Sequence, residues 1–188
     1  TSVLDVMQRT LDAVHEQRKR LKTLMFAHIN HPNFGYGISA DDLKQLNGER
    51  FFEVYNGHPA VNNEGDDMHI DTETMWDLVN IHYHNEGKPL LFGIATDDSH
   101  RYHSFSSKDS NTGRGWVMVN CKKLATEDII SAMEKGDFYA STGVHLKKLF
   151  TDKKLIEIEV DPEFGVIYEI IFIGYQKGAE DVVELKKV

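Results

Sequence analysis

The most constraining feature of the sequence is a short apolar run, residues 90–95, which is followed closely by two carboxylates and a histidine. An apolar run of this length after Pro89 is typical of a buried β-strand. Asp98 and His100 are two residues apart, so in an extended chain both side chains leave the same face. One short segment would then offer an oxygen and a nitrogen to a single cation. The alternative is a loop in which Asp98 caps a turn and His100 is solvated.

The composition limits the classes of protein to consider. The chain has 188 residues, of which 40% are hydrophobic and 27% charged, which is typical of about one soluble globular domain. Its net charge of −9 argues against nucleic-acid binding as the main function, although a local basic patch is compatible with it. The sequence has no apolar stretch close to the roughly 20 residues of a membrane-spanning helix. The single cysteine, Cys121, excludes an internal disulfide and indicates no particular compartment.

Helical and extended patterns alternate along most of the chain. Helices are predicted to begin near Val3, Ser39, Asp71 and Thr126, and strands are predicted at residues 23–27, 51–55, 90–95, 116–119 and 138–140. This alternation predicts a parallel sheet with right-handed crossover connections. After residue 154 the pattern changes to strands joined by Pro, Gly and charged turns, which indicates a small antiparallel appendage. We therefore expect an α/β unit in residues 1–149 and a β-rich appendage in residues 150–188.

Polar residues follow three of the predicted strands, at the point where each strand ends. They are His28 and His31 after the first strand, Asn56 and His58 after the second, and Asp98 and His100 after the third. The carboxyl ends of parallel strands lie along one edge of a sheet, so the three groups are expected to meet there. Mixed imidazole and carboxylate ligands suit Zn, Mn or Fe, and they favour a hydrolytic site with an open coordination position over a closed structural site.

Several neighbouring side chains have more than one interpretation. His28 is either a ligand or the last inward-facing residue of its strand. Glu53 has an inward position in an apolar strand and therefore needs a polar partner, so we expect it to brace the site. Asp97 points away from Asp98 in an extended segment, which favours a capping or supporting role over that of a ligand.

Four segments of the sequence resemble the motifs of a known family. They are residues 31–33 (HPN), 53–57 (EVYNG), 95–100 (ATDDSH) and 136–143 (GDFYASTG). Their order and spacing, from about residue 24 to residue 143, resemble the later motifs of the PHP (polymerase and histidinol phosphatase) family of metal-dependent phosphoesterases. The Asp98-Ser99-His100 segment, in its strand context, is the most specific of the four.

The resemblance implies a fold, a cofactor and a set of site residues. The family fold is a distorted (β/α)7 barrel, similar to a TIM barrel, with two or three divalent metal ions (Mn, Zn or Fe) at its C-terminal rim. By resemblance, six residues of this chain form the site. They are the metal ligands His31, Asp98 and His100, the last two of which are also the catalytic pair, and the substrate-binding residues Asn56, His58 and Arg101.

The chain departs from the family pattern at its beginning. The family starts with a His-x-His pair on the first strand. In this chain the single histidine among residues 1–27 is His15, which lies in the first predicted helix. Residues 1–149 therefore resemble the second half of a PHP barrel, to which residues 150–188 are appended. We expect such a chain to be part of a longer polypeptide, because half of a barrel leaves much interior apolar surface exposed.

These observations lead to one predicted function and one alternative. The predicted function is metal-dependent hydrolysis of phosphate esters, in which metal ions activate a water molecule and clamp the phosphoryl oxygens. The expected partners are a small phosphorylated substrate and the N-terminal half of the same polypeptide, without a membrane and without nucleic acid. The alternative is a non-catalytic binding or scaffold module that keeps the fold and lacks a full set of metal ligands.

Overall fold

The computed structural model describes residues 1–179 and 181–187, which form a small mixed α/β protein. Its elements, in chain order, are α1 (Val3–Leu21), α2 (Ala40–Lys44), β1 (Phe51–Asn56), α3 (Thr72–Asn85), β2 (Phe92–Thr96), β3 (Trp116–Val119), α4 (Thr126–Lys135), β4 (Phe138–Ser141), β5 (Leu146–Thr151), β6 (Ile156–Val160), β7 (Ile171–Tyr175) and β8 (Val182–Lys187). The strands pair two by two. The β1–β2 pair is parallel, and the β3–β4, β5–β6 and β7–β8 pairs are antiparallel.

The prediction that the chain forms part of a (β/α)7 barrel is wrong. Across residues 1–179 and 181–187 each sheet has two strands, none is closed, and most are antiparallel. The connection from β3 through α4 to β4 shows the physical reason. The backbone N–H of Asn120 donates a 2.8 Å hydrogen bond to the carbonyl of Asp137, so β4 begins beside the end of β3 and runs back along it. A parallel crossover would instead return the chain to the other end of β3.

Local signals in the sequence determine where several helices begin and end. Ser39 and Asp42 form a reciprocal capping box at the start of α2, as their spacing predicts. Gly136 ends α4 in the left-handed conformation, with φ of 80°. The predicted cap of α4 is wrong by one residue: the N-cap is Ala125, which makes no side-chain hydrogen bond, and Thr126 is the first helical residue.

The first predicted strand, residues 23–27, is not a strand in the structure. The carbonyl oxygen of Met25 accepts a 2.9 Å hydrogen bond from the guanidinium of Arg18, a partner that does not belong to a sheet. Further along, Ile29 forms a parallel bridge to Phe52 of β1. This bridge places the chain that follows Ile29 beside the carboxyl half of β1.

Two apolar clusters fix β1 from opposite sides. The first lies among α1, α2, α3 and one face of β1, and contains Leu11, Ile29, Leu43, Leu46, Phe52, Met75, Val79, Tyr83 and Leu91. The second lies between the β1–β2 pair and the β3–α4–β4 unit, and contains Phe51, Ile94 and Met133. Because Phe51 and Phe52 are adjacent, their side chains leave opposite faces of β1, and both are fully buried. The strand is therefore a rigid base for the loops at its carboxyl end.

The C-terminal part of the chain consists of the β5–β6 and β7–β8 strand pairs. The predicted domain boundary at residue 149 lies within β5, which begins at Leu146. Large apolar side chains on and between these strands are exposed, among them Phe150, Ile156 and Ile167. No helix in the described part of the chain combines the length and the apolar character needed to cross a membrane.

Candidate functional site

The carboxyl ends of β1 and β2 lie side by side, because the two strands are parallel and Asn56 is paired with Thr96. Polar residues at and after these strand ends therefore meet at one edge of the sheet. Four of them, together with Glu53 from within β1, are linked by direct contacts and are called the edge cluster: Glu53, Asn56, His58, Asp98 and His100.

Glu53 is the buried centre of the edge cluster, with 3% of its surface exposed. One carboxyl oxygen, Oε2, accepts hydrogen bonds from the backbone N–H of His31 at 2.6 Å and from Asn56 Nδ2 at 3.0 Å. The other, Oε1, accepts a hydrogen bond from the hydroxyl of Thr96 at 2.8 Å and lies 3.8 Å from Nδ1 of His28. A buried carboxyl group requires such partners. Glu53 thus has the polar partners that its position in an apolar strand requires, and it joins three segments of the chain.

Asn56 connects Glu53 to Asp98 and is itself buried. Its Nδ2 donates a 3.2 Å hydrogen bond to Oδ2 of Asp98, and its Oδ1 accepts a 2.9 Å hydrogen bond from the backbone N–H of His58. Asp98 has a positive φ of 47°, so the extended chain of β2 ends before it. The expected extended spacing of Asp98 and His100 is therefore not what aligns them. Their side chains nevertheless approach each other, with Oδ1 of Asp98 3.6 Å from Nε2 of His100.

The Asp98 and His100 side chains have a separation suited to two ligands of one metal ion. Two ligands of a tetrahedral ion with bonds of about 2.1 Å lie about 3.4 Å apart. A carboxylate oxygen and an imidazole nitrogen are both suitable ligands of Zn, Mn and Fe. Within residues 1–179 and 181–187, no third His, Cys, Asp or Glu side chain joins this pair in a three-residue ligand group. An ion bound here would therefore take its remaining ligands from water or from a bound phosphate.

His31, the third predicted ligand, joins the network through its backbone rather than through its ring. Its N–H donates to Glu53, and its ring lies 5.3 Å from the ring of Phe34, between centroids. Its φ of 22° turns the chain at this point. In the described part of the chain, the structure does not bring the His31 imidazole into one three-ligand group with Asp98 and His100.

His58 presents a hydrogen-bond donor next to the Asp98 and His100 pair. Nδ1 of its ring accepts a 3.1 Å hydrogen bond from the backbone N–H of Ala60. A neutral imidazole that accepts at Nδ1 carries its proton on Nε2. The His58 ring lies edge-on to the His100 ring, with 5.4 Å between centroids. His58 is therefore better suited to donate to an anionic ligand than to bind a metal ion through Nε2.

Two arginines flank the edge cluster. Arg101 follows His100 directly and is exposed, and its backbone N–H donates to the carbonyl of Ser110 at 3.0 Å. Arg114 is held more firmly, because its guanidinium donates to the carbonyl of Gly57 at 3.1 Å and to that of Ser106 at 2.8 Å. Of the two, Arg101 is the one whose exposed side chain can adapt to a bound anion.

Asp97 has a supporting position, as predicted. Its Oδ1 accepts hydrogen bonds from the backbone N–H groups of Arg114 at 2.6 Å and Gly115 at 3.0 Å. Burial disfavours the ionised form of Asp97, but the backbone donors of residues 113–115 outweigh it and lower the pKa of the carboxyl group. Asp97 therefore closes the long loop of residues 97–115 and does not face the cluster as a ligand.

Sequence reasoning missed two residues that position the site. Asn33 is 2% exposed, and its Nδ2 donates to the carbonyls of Asn62 at 3.1 Å and Ile70 at 2.9 Å, which ties the loop of residues 61–70 to the chain near His31. Thr96 supplies the hydroxyl donor to Glu53. The sequence feature that could have pointed to Asn33 is its place in the 31–33 segment. For Thr96 the corresponding feature is its position at the end of a strand.

Three of the four segments that resemble the PHP family, residues 31–33, 53–57 and 95–100, meet at or beside the edge cluster. The fourth, residues 136–143, contains β4, which pairs with β3. The resemblance to the PHP family is a prediction based on these short segments. No protein-family model, curated protein or solved structure matches this chain.

Proposed function

We propose that the edge cluster binds a divalent metal ion and hydrolyses small phosphate esters. The observation that carries the proposal is the 3.6 Å approach of Asp98 Oδ1 and His100 Nε2 at the end of a buried parallel strand pair. This carboxylate and imidazole pair suits Mn, Zn or Fe. When bound, such an ion supplies a water molecule of lowered pKa and polarises a phosphoryl oxygen.

The residues around the pair would bind and orient the phosphate group. His58 donates from Nε2 to a phosphoryl oxygen, since its Nδ1 is already occupied by the Ala60 N–H. Arg101, exposed next to His100, offsets the phosphate charge with two parallel hydrogen bonds where its guanidinium reaches the group.

Glu53 and Asn56 keep the metal-binding carboxylate in position. The Asn56 amide donates to Oδ2 of Asp98, which leaves Oδ1, the oxygen nearer His100, for the ion. Asn56 is held in turn by Glu53, which is bonded to the His31 backbone and to Thr96. Partners behind a metal ligand commonly change metal affinity or activity by about 10- to 100-fold when they are removed.

The proposal is tested with Asp98→Asn, which removes the ligand charge and keeps an oxygen that can accept from Asn56. Asparagine also tolerates the positive φ at this position. We expect the wild type to hydrolyse phosphomonoesters with Mn, and the variant to lose about 100-fold in kcat/KM, as the loss of a charged transition-state interaction predicts. The variant is also expected to retain less Mn after dialysis. The matched control is Asp12→Asn on the exposed surface of α1, with turnover close to that of the wild type.

Two results would contradict the proposal. Equal Mn-dependent turnover in the wild type and in Asp98→Asn would remove Asp98 from the mechanism. A wild type that neither retains Mn nor hydrolyses any ester of the panel would reject the hydrolase and leave the non-catalytic binding module as the better description.

A further inference from the structure

We infer that a cavity between α3 and the β7–β8 pair binds a small organic amine, with its ammonium group at Asp77 and its apolar part against Trp76 and Tyr175. The cavity has a volume of about 690 Å³, within the roughly 300–1,000 Å³ of small-molecule sites. None of the described residues that line it belongs to the edge cluster. The inference therefore goes beyond the proposed hydrolytic site and does not depend on it.

The β7–β8 pair contacts the C-terminal end of α3 directly. The Tyr175 ring meets the His84 ring edge-on, with 5.5 Å between centroids, and the Tyr175 hydroxyl donates a 3.4 Å hydrogen bond to Oδ1 of Asn85. Val54 and Gly93 of the β1–β2 pair also line the cavity. The space is therefore enclosed by a helix and by strands from two different sheets.

Most of the cavity lining is apolar. Its large apolar side chains are those of Val54, Trp76, Ile81, Leu90, Ile173 and Val182. The Trp76 ring is held in place, because its Nε1 donates a 3.0 Å hydrogen bond to the carbonyl of Leu91. The ring also packs over Gly93, where an added Cβ would lie 3.6 Å from Cε2 of the indole. A fixed aromatic ring binds apolar groups and, through its face, attracts a cation.

The charged side of the cavity is negative. Glu73 and Asp77 are four residues apart on α3, so they share one face of the helix, and both line the cavity. Asp77 is half-buried, and the described residues give its carboxylate no ion pair and no hydrogen bond. Burial raises the pKa of Asp77 to about 6, and the negative charges of Asp181, Glu73 and Asp71 act in the same direction. An ammonium group beside Asp77 supplies the counter-charge that this carboxylate lacks.

This combination of groups favours an amine over a neutral or an anionic ligand. A neutral apolar ligand would bury Asp77 further without giving it a partner, which costs free energy. An anion is the alternative suggested by Lys177, an exposed side chain and the one lysine or arginine among the described lining residues. Such an anion would meet the like charges of Asp77 and Glu73, which disfavour its binding.

The experiment compares two probes of similar shape and opposite charge, tryptamine and indole-3-propionate, by isothermal titration calorimetry. It is done at about pH 7.5, where a carboxyl group with a pKa of about 6 is ionised. We expect tryptamine to bind with a Kd below about 1 mM, and about 10-fold or more tightly than indole-3-propionate.

Asp77→Asn tests the contact with the ammonium group, because it keeps the shape of the side chain and removes its charge. We expect it to weaken tryptamine binding by about 10-fold and not to weaken the binding of indole-3-propionate. The variant is expected to fold, since it removes repulsion between Asp77 and the neighbouring carboxylates. The matched control is Asp12→Asn on the exposed surface of α1, which should bind both probes as the wild type does.

Two substitutions of Tyr175 test the aromatic wall. Tyr175→Leu removes the ring, whereas Tyr175→Phe keeps it and loses a hydroxyl whose contacts with Asn85 and with the N–H of Gly178 are both 3.4 Å long. We expect Tyr175→Leu to weaken tryptamine binding by about threefold or more, and Tyr175→Phe to stay within about twofold of the wild type.

Four results would overturn the inference. They are absence of tryptamine binding, equal or tighter binding of indole-3-propionate, tryptamine binding that Asp77→Asn leaves unchanged, and an equal loss of tryptamine binding in Asp77→Asn and Asp12→Asn. A selective loss in Asp77→Asn together with unchanged binding in Tyr175→Leu would support the ammonium contact and overturn the contact with the Tyr175 ring.

Discussion

Two buried glutamates at β1 have opposite environments. Glu53 has hydrogen-bond donors on both carboxyl oxygens. Glu49, just before the strand, accepts at Oε1 from the backbone N–H groups of Arg50 at 2.7 Å and Phe51 at 2.6 Å. Its Oε2 is buried and has no hydrogen-bond partner among the described residues. Burial raises the pKa of Glu49 to about 7, against the opposing effect of the two backbone donors and the Arg50 charge.

The raised pKa of Glu49 predicts a specific dependence of stability on pH. Its ordinary pKa is 4.5, so between about pH 4.5 and pH 7 the folded state keeps a proton that the unfolded state has lost. The free energy of unfolding therefore falls as the pH rises through this window, by roughly 3 kcal/mol from this group. We expect Glu49→Gln to remove that fall, so that the variant is more stable than the wild type at about pH 8 and similar to it near pH 4. Urea denaturation across the window measures the difference.

The control for this prediction is Glu16→Gln, which neutralises an exposed glutamate of α1. Its free energy of unfolding is expected to follow the wild-type pH profile. A Glu49→Gln profile that also parallels the wild type would show that Glu49 ionises equally in the folded and unfolded states.

For the other buried glutamate, Glu53, the sequence predicted the need for a hydrogen-bond partner but did not identify the donors. A carboxyl group at an inward position of an apolar strand needs hydrogen-bond partners, and this follows from its place in the sequence. Which donors reach it depends on the bridge between Ile29 and Phe52, which brings the His31 backbone alongside β1. That bridge is a long-range contact without a local signal.

The edge cluster depends on how closely the loops after β1 and β2 approach each other. The N–H of Gly57 donates to the carbonyl of Thr96 at 2.8 Å. A Cβ at Gly57 would lie 2.7 Å from Cβ of Arg114 and 3.0 Å from the carbonyl oxygen of Asp97. The first distance is shorter than two carbon atoms can approach without displacement, so the contact requires a glycine.

We predict that Gly57→Ala separates the two loops and destabilises the protein by about 1–3 kcal/mol, the usual cost of added bulk at a tightly packed position. The reason is that Arg114 is tied to Gly57 O and Asp97, so it cannot move away without losing hydrogen bonds. Urea denaturation measures the loss of stability. The matched control is Gly143→Ala, where a Cβ meets no atom within 4 Å and the expected change is below about 0.5 kcal/mol. Similar stability losses in both variants would refute the close contact at Gly57.

Sequence patterns predicted the elements that depend on local chemistry and missed those that depend on distant partners. The capping box of α2 and the β1–β2 edge follow from residue types and spacing. The direction of β4 does not follow from residue types and spacing, because it is determined by the hydrogen bond from the Asn120 N–H to the Asp137 carbonyl. The path of residues 23–27 does not follow from local patterns either, because the Arg18 side chain of α1 donates a hydrogen bond to the Met25 carbonyl. The strand-end pattern predicted that Asp98 and His100 lie close together, as they do, but it did not predict the direction of the His31 ring, which follows a backbone turn with positive φ.

For the whole molecule, the longest-range polar connection of α1 is the ion pair between Arg18 and Glu134 of α4. Both terminal nitrogens of the guanidinium contact the carboxylate, Nη1 to Oε1 and Nη2 to Oε2, the latter at 3.1 Å. Nη1 also donates to the carbonyl of Met25. Arg18 therefore joins α1, the chain that leads to the Ile29 bridge, and the β3–α4–β4 unit. About one third of each side chain is exposed, so solvent weakens the pair only in part.

We predict that a double-mutant cycle of Arg18→Ala and Glu134→Ala gives a coupling energy of about 1 kcal/mol at low salt, the upper part of the range for exposed pairs, because the contact is bidentate. High salt should reduce the coupling without removing it, since the pair is partly buried.

The comparison is the Lys148–Glu157 pair of the β5–β6 sheet, whose side chains are 50% and 48% exposed and make a single 2.7 Å contact. That pair joins neighbouring strands only, so its coupling should be a few tenths of a kcal/mol and should vanish in high salt. If the Arg18–Glu134 coupling is no larger than this, the ion pair does not hold α1 to α4, and the apolar clusters alone do so.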